Sequence, residues 1–190
     1  MSIKHLKTEI LSCLRTLKGS GKFDSIQRHD FILPGLHVEG VGEISFPLHE
    51  IHAKALLCVA EQAPFGKGSE TIVDTQVRRT QQIDAAQFQF ANPQWQRFLD
   101  QQLEQIKTDL GLKDYTITAS PYKLLVYQTG DFFLSHKDAE KEKGMFGSLI
   151  INLPSHYTGG ELSIQFDGEE IIADFAQDAS NYTINCAAFY

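Results

Sequence analysis

Residues 122–162 read YKLLVYQTGDFFLSHKDAEKEKGMFGSLIINLPSHYTGGEL, and the fold of the chain turns on their period. Apolar and β-branched residues come here in short runs, Tyr122–Gln128, Phe132–His136 and Phe146–Leu153, and glycine-bearing turns at Thr129-Gly130-Asp131 and Thr158-Gly159-Gly160 separate them. Runs of this length between turn residues predict strands, not helices. The pattern continues to the end of the sequence, with strands expected at Glu161–Phe166, Glu169–Phe175 and Tyr182–Tyr190 and a turn at Asp167-Gly168-Glu169.

Upstream the period lengthens. Asn92 as N-cap, Pro93 at the first helical position, an apolar stripe of Trp95, Phe98, Leu99, Leu103, Ile106 and Leu110, and a stop at Gly111 predict a helix whose stripe belongs to the core. Further helices are expected over residues 3–18 and over His49–Gln62, the latter stopped by Pro64 and Gly66. Strand-like pieces are expected at Asp30–Val38 and Glu43–Phe46, and Ala63–Glu70 reads as a loop. Helices first and short strands afterwards indicate an α+β domain in which an antiparallel sandwich or open barrel is backed by helices.

The chain has 190 residues, enough for one sizeable core, and 42 % hydrophobic with 22 % charged residues is the balance of a soluble globular protein. A formal charge of −7 disfavours nucleic acid and anionic membrane surfaces as partners. No stretch approaches the roughly 20 apolar residues that span a bilayer. Cys13, Cys58 and Cys186 form no CxxC pair and are expected as buried small hydrophobes in a reducing, cytoplasmic setting.

His136-Lys137-Asp138 carries the chemistry. Residues i and i+2 of an extended chain project to one face, so imidazole and carboxylate can reach one metal ion, as in the two-His-one-carboxylate sites of non-haem iron enzymes. Alone the pattern is weak, since 7 His and 12 Asp in 190 residues yield a chance HxD about 0.4 times per chain. Arg78 and Arg79, in DTQVRRT, read as surface arginines flanking a strand, and the charged run from Lys137 to Lys143 as a solvated loop.

Order adds what the pair lacks. A tyrosine-bearing apolar strand, a GD turn, HxD, the strand GMFGSLIINL and then GGEL follow one another in Tyr122–Leu162. In this order the chain resembles the Fe(II)/2-oxoglutarate-dependent dioxygenases, and among them the prolyl 4-hydroxylase-like group; the likeness extends from about Asp74 to the end. The resemblance implies a double-stranded β-helix, or jelly roll, with residues 1–114 as a helical and mixed support region and 115–190 as the oxygenase core, in one structural domain. It implies His136 and Asp138 as iron ligands and Tyr127 as the hydroxyl that helps hold 2-oxoglutarate. The implied activity couples oxidative decarboxylation of 2-oxoglutarate by O2 to hydroxylation of an unidentified protein or small-molecule substrate, with ascorbate as an accessory reductant.

The third ligand of that family is a distal His, and after His156 the sequence contains none. Ile184–Tyr190 resembles the strand that leads into that His, so the expectation is a fragment or a truncated form lacking the last strand or two. His156, in Pro154–Gly159, reads as an exposed loop histidine and not as a substitute ligand. A second reading is therefore a non-catalytic jelly-roll module that binds a partner, or a second copy in a homodimer, through an open sheet edge.

Overall fold

In the computed structural model the described residues are 21–67, 70–138, 140–176 and 182–190. The helix expected over residues 3–18, with Cys13, lies outside them. Among the described residues fifteen strands and two α-helices follow in the order β1 Asp24–Asp30, β2 Leu36–Val38, β3 Gly42–Glu43, α1 Glu50–Val59, β4 Glu61–Gln62, β5 Phe65–Lys67, β6 Glu70–Ile72, β7 Arg78–Arg79, β8 Gln81–Asp84, β9 Phe88–Phe90, α2 Pro93–Asp109, β10 Lys123–Val126, β11 Phe132–Phe133, β12 Ser148–Asn152, β13 Leu162–Phe166, β14 Glu169–Ala173 and β15 Thr183–Phe189, with a 3-10 turn at Ala85–Gln87 before β9. The strands form several small sheets, ordered β1-β15-β12, β10-β8-β4, β3-β2-β9, β11-β7, β13-β14 and β5-β6. Every strand pair is antiparallel, so the α+β class holds.

β15 organises one half of the structure. Its sequence TINCAAF is buried through its middle five residues, because it pairs with β1 from Asp24↔Phe189 to Asp30↔Thr183 on one side and with β12 on the other. Ile184, Cys186 and Ala188 alternate onto one face of this sheet, and α2 covers that face. Trp95 and Phe98 pack with Ile184 and Cys186, while Ile106 and Leu110 pack with Ala188. Small residues at 186 and 188 leave room for the helix. Ile184 is 0 % exposed, so its burial stabilises by about 2–3 kcal/mol. α2 starts as its sequence predicts, with the Asn92 side chain accepting from the Gln94 N–H and Pro93 in the first turn.

A second core cluster joins Leu36, Val38, Ile44, Leu56, Ile83 and Val126. It ties β2 and α1 to the β8–β10 pair, which fixes the end of β10 and the segment before β8. Between them sits a buried polar belt with its bonds made: Thr80, 0 % exposed, donates its hydroxyl to Val126 O, and the Gln62 amide donates to Arg78 O and Thr80 O.

Several expectations from the sequence are corrected. The strand placed at Asp30–Val38 lies earlier, in β1, because the chain uses alternate residues of DSIQRHD against β15; only Leu36–Val38 of the expected segment is strand. The piece at Glu43–Phe46 is reduced to Gly42–Glu43. The loop Ala63–Glu70 contains most of the β5–β6 hairpin, paired from Phe65↔Ile72 to Lys67↔Glu70. The helix expected to Gln62 stops at Val59, so that Glu61 and Gln62 pair with Gln82 and Gln81. Three short strands, β7, β8 and β9, were not anticipated. Cys186 is buried as expected, but Cys58 is exposed, because it falls on the outer side of α1.

Candidate functional site

The site is assembled where β7, β10 and β11 end near the start of β12. Strand β10 leads through Tyr127 into the turn Gln128–Asp131. There the Asp131 N–H donates to Gln128 O and the Gln128 N–H donates to Asp131 Oδ2, while Gly130 takes φ +80°, a conformation that glycine adopts at no steric cost. Arg79 clasps this turn from outside: its guanidinium donates to Gly130 O and its Nε lies 3.3 Å from Asp131 Oδ1. The chain then enters β11, pairing Phe132↔Arg79 and Phe133↔Arg78, and just past the end of the strand Leu134 N donates to Val77 O. β11 is therefore two residues long, and His136 lies beyond it, not within a strand that reaches 136 as the sequence suggested.

His136 and Asp138 nevertheless meet. His136 Nε2 lies 3.4 Å from Asp138 Oδ1, with the two side chains 37 % and 42 % exposed. His136 Nδ1 is 2.9 Å from Leu134 O. A carbonyl only accepts, so Nδ1 carries a proton and donates it, and Nε2 faces Asp138 as an N–H donor when the ring is protonated and as a lone pair when it is neutral. Asp138 is held from its other side, where the Ser148 hydroxyl donates to Oδ2 at 2.5 Å. The imidazole also stacks on Phe133 at 3.6 Å between ring centroids.

The electrostatics follow from these contacts. The hydrogen bond to His136, followed by that to Ser148, holds the Asp138 carboxyl down at about 2 against the opposing effect of partial burial. His136 is raised above its ordinary value, chiefly by Asp138, while desolvation pulls the other way. Two acceptors 3.4 Å apart, each fixed by a separate partner, repel unless a cation lies between them. A proton on Nε2 meets that need, and so does a divalent metal ion. With bonds of about 2.1 Å to such an ion, the donor separation corresponds to an angle of about 110° at the metal, within reach of a cis pair after a slight approach of the ligands.

Tyr127, the third residue singled out by the sequence, stands one residue past β10. It is 51 % exposed as a whole, with its hydroxyl close to Thr80 and Arg78. Desolvation raises the phenol above its usual value, and the Arg78 charge opposes this. Arg78 and Arg79 were both expected at the surface, and for Arg78 that is corrected. Strand alternation sends the two side chains to opposite faces: Arg79 goes out to Asp131, whereas Arg78 turns in, with Nη1 donating to Pro64 O at 2.8 Å and its guanidinium carbon 4.3 Å from the Phe133 ring centroid.

Sequence reasoning also missed Ser148 and Phe133. Ser148 was legible in principle as the lone hydroxyl opening an apolar strand, and Phe133 as a ring at i−3 from His136. His156 is exposed in the loop after Pro154, as expected, and takes no part. Among the described residues no group of three or more His, Cys, Asp or Glu is placed to hold a metal, so the structure provides a pair of ligands. A cavity of about 90 Å³ borders Asp138, Phe146, Ser148 and Tyr190, below the few hundred Å³ usual for ligand pockets.

Comparison of the chain with models of protein families, with curated proteins and with solved structures gives no match. No helix among the described residues is long and apolar enough to cross a membrane.

Proposed function

We propose that the chain is an Fe(II)- and 2-oxoglutarate-dependent dioxygenase of the prolyl 4-hydroxylase-like type, built on a double-stranded β-helix. The observation that carries this reading is the convergence of His136 Nε2 and Asp138 Oδ1, each braced from behind by a different element, Leu134 O and Ser148 Oγ. Such bracing fixes the tautomer of the imidazole and the orientation of the carboxylate, which is what a ligand pair requires. Support for the jelly roll comes from the pairing of β12 with β15 and from the β13–β14 hairpin, whose two-residue turn Asp167-Gly168 has positive φ at both positions.

On this reading His136 and Asp138 would hold an iron ion, which would supply the O2 activation that couples decarboxylation of 2-oxoglutarate to hydroxylation of a substrate, with ascorbate as accessory reductant. The residues of the chain do the rest. Asp138 offsets part of the metal charge, and its low pKa keeps it ionised throughout the physiological range. Leu134 O holds the imidazole proton on Nδ1, so that Nε2 stays available. The Tyr127 hydroxyl would help hold 2-oxoglutarate, and its raised pKa keeps it a neutral donor. Phe133 shields one face of the imidazole from water. A reducing, cytoplasmic location belongs to the same reading.

The test is succinate formation from 2-oxoglutarate under air with Fe(II) and ascorbate. Turnover in the wild-type chain that disappears in both His136→Ala and Asp138→Ala supports the assignment; equal turnover in the variants refutes it. A second reading, a binding module without turnover, is favoured by open edges and exposed apolar residues. β12 ends its sheet with Ile150 38 % exposed, and the β13–β14 hairpin bears Phe166 and Ile172 at 53 % and 63 %. It predicts a homodimer or a complex by sedimentation, with no succinate.

A further inference from the structure

The β1-β15-β12 sheet carries a buried amide on the face that α2 does not cover. Ile184, Cys186 and Ala188 of β15 turn to α2, so Asn185 turns to the opposite face. It is 8 % exposed, and among the described residues its side chain has no hydrogen-bond partner. The contrast with its neighbour in register is informative. Asn152 accepts from the Tyr157 hydroxyl at 3.3 Å, whereas Asn185, more deeply buried, is given nothing. Its amide atoms are not sealed in protein either, because the residue lines a cavity of about 270 Å³. That volume is close to the lower end of the range for small-molecule sites. Ile26 and Arg28 of β1 border the cavity on one side, and Ile172, Asp174 and Phe175, at the end of β14, border it on the other. It is a separate place from the His136–Asp138 pair, since Asn185 lies four residues along β15 from Phe189, the partner of Ser148, or about 13 Å.

A buried amide costs free energy until it is paired, and a valine would fill the same strand position without that cost. Asn185 offers a donor and an acceptor side by side, and the group that satisfies both at once is another amide. The charge of the walls points the same way. They hold one cation, Arg28, and one anion, Asp174, whose Oδ1 accepts from the Ala176 N–H. A ligand of either net charge meets its like on one wall, whereas a neutral dipole is opposed by neither. Ile26, Ile172 and Phe175 add apolar surface. We infer that this cavity binds a small neutral carboxamide, with its amide head paired to Asn185 and its apolar remainder against Ile26, Ile172 and Phe175. The inference stands apart from the dioxygenase reading, because the two sites share no residue.

The test uses the whole chain and three probes of one shape: isovaleramide, its acid isovalerate and the amine isoamylamine. Binding is followed in proton–nitrogen correlation spectra, where the side-chain NH2 of Asn185 gives its own signals. The expected result is a saturable shift of those signals and of the Ile172 backbone amide with isovaleramide, with a Kd in the millimolar range that its small size implies. Isovalerate and isoamylamine at the same concentrations should leave both unmoved. In Asn185→Leu, which keeps the volume and removes the amide, isovaleramide should bind about ten-fold or more weakly. Asp174→Asn, at an exposed position, keeps the bond to Ala176 and removes the anion, so isovalerate should gain binding while isovaleramide keeps it; that gain does not depend on whether Asn185→Leu folds. No shift of the Asn185 signals with isovaleramide up to about 50 mM, equal shifts with all three probes, or unchanged binding in a folded Asn185→Leu overturns the inference. Isovaleramide binding without any succinate formation leaves the cavity standing and removes the dioxygenase reading instead.

Discussion

Ser148 Oγ stands 2.5 Å from Asp138 Oδ2, and so the first residue of β12 holds the carboxylate that faces His136. Ser148 pairs in turn with Phe189 of β15, the most buried strand described, so the rigidity of the sheet reaches the loop that carries Asp138. The link between fold and site passes through one hydroxyl.

Removing that hydroxyl should loosen the carboxylate while the fold stays intact. In Ser148→Ala the Asp138 pKa is expected to rise from about 2, since the hydrogen bond from the Ser148 hydroxyl is lost, and Mn(II) affinity should fall roughly ten-fold. NMR titration of the Asp138 carboxyl and a Mn(II) binding isotherm give the two readouts. A variant with wild-type affinity would show that Ser148 is a bystander.

The metal-free pair has a definite pH signature. His136 is raised in the folded chain by Asp138, so its protonation stabilises the fold below the unfolded value of about 6.5, and that contribution is lost as pH rises through the folded value. For Asp138 the sign is opposite: its contribution is present above its unfolded value of 3.8 and is lost as pH falls toward about 2. Both side chains are more than a third exposed, so the effect on overall stability is small and the direct observable is the imidazole resonance. In Asp138→Asn the His136 midpoint should move down; the same midpoint in both proteins would contradict the pairing.

Gly147 has no room for a side chain. A Cβ there would lie 2.6 Å from Phe189 O, so Gly147→Ala must push β12 away from β15 immediately before Ser148. A loss of about 1–3 kcal/mol is expected. Ile184→Ala, at a fully buried position under α2, should cost about 3 kcal/mol and lower Tm by roughly 10 °C without touching the site. Thermal and urea melts separate the cases: Gly147→Ala should weaken Mn(II) binding at 25 °C and Ile184→Ala should not.

Thiol chemistry reports on the same sheet. Burial pushes the Cys186 thiol up to about 12, whereas Cys58 is exposed on α1. Iodoacetamide at pH 8 should therefore label Cys58 in the native protein and spare Cys186 until denaturant is added. Rapid labelling of Cys186 in the native state would mean that α2 does not cover β15.

Much of this structure is legible in the sequence because it follows local rules. Asn92, Pro93 and the stripe from Trp95 to Leu110 give α2 nearly residue for residue, since capping and period are local properties. The β13–β14 hairpin is legible for the same reason, from Asp167-Gly168. β7, β9 and the β5–β6 hairpin are not, because strands of two or three residues carry too little pattern and exist through pairing with distant partners, such as Phe132 with Arg79. At the site, HxD was readable from spacing, whereas Arg78 was not distinguishable from Arg79 until strand alternation sent one inward and the other to Asp131. Ser148 was missed because its role depends on β12 starting beside a loop ten residues upstream.

The central claim is that His136 and Asp138 bind one divalent metal ion together, and the free Mn(II) signal in electron paramagnetic resonance tests it directly. The account predicts that the chain lowers this signal stoichiometrically near pH 7.5, that lowering the pH through the His136 midpoint releases the ion, and that His136→Ala and Asp138→Ala each abolish binding. Binding of unchanged affinity in either variant, or no binding by the wild-type chain, would contradict it.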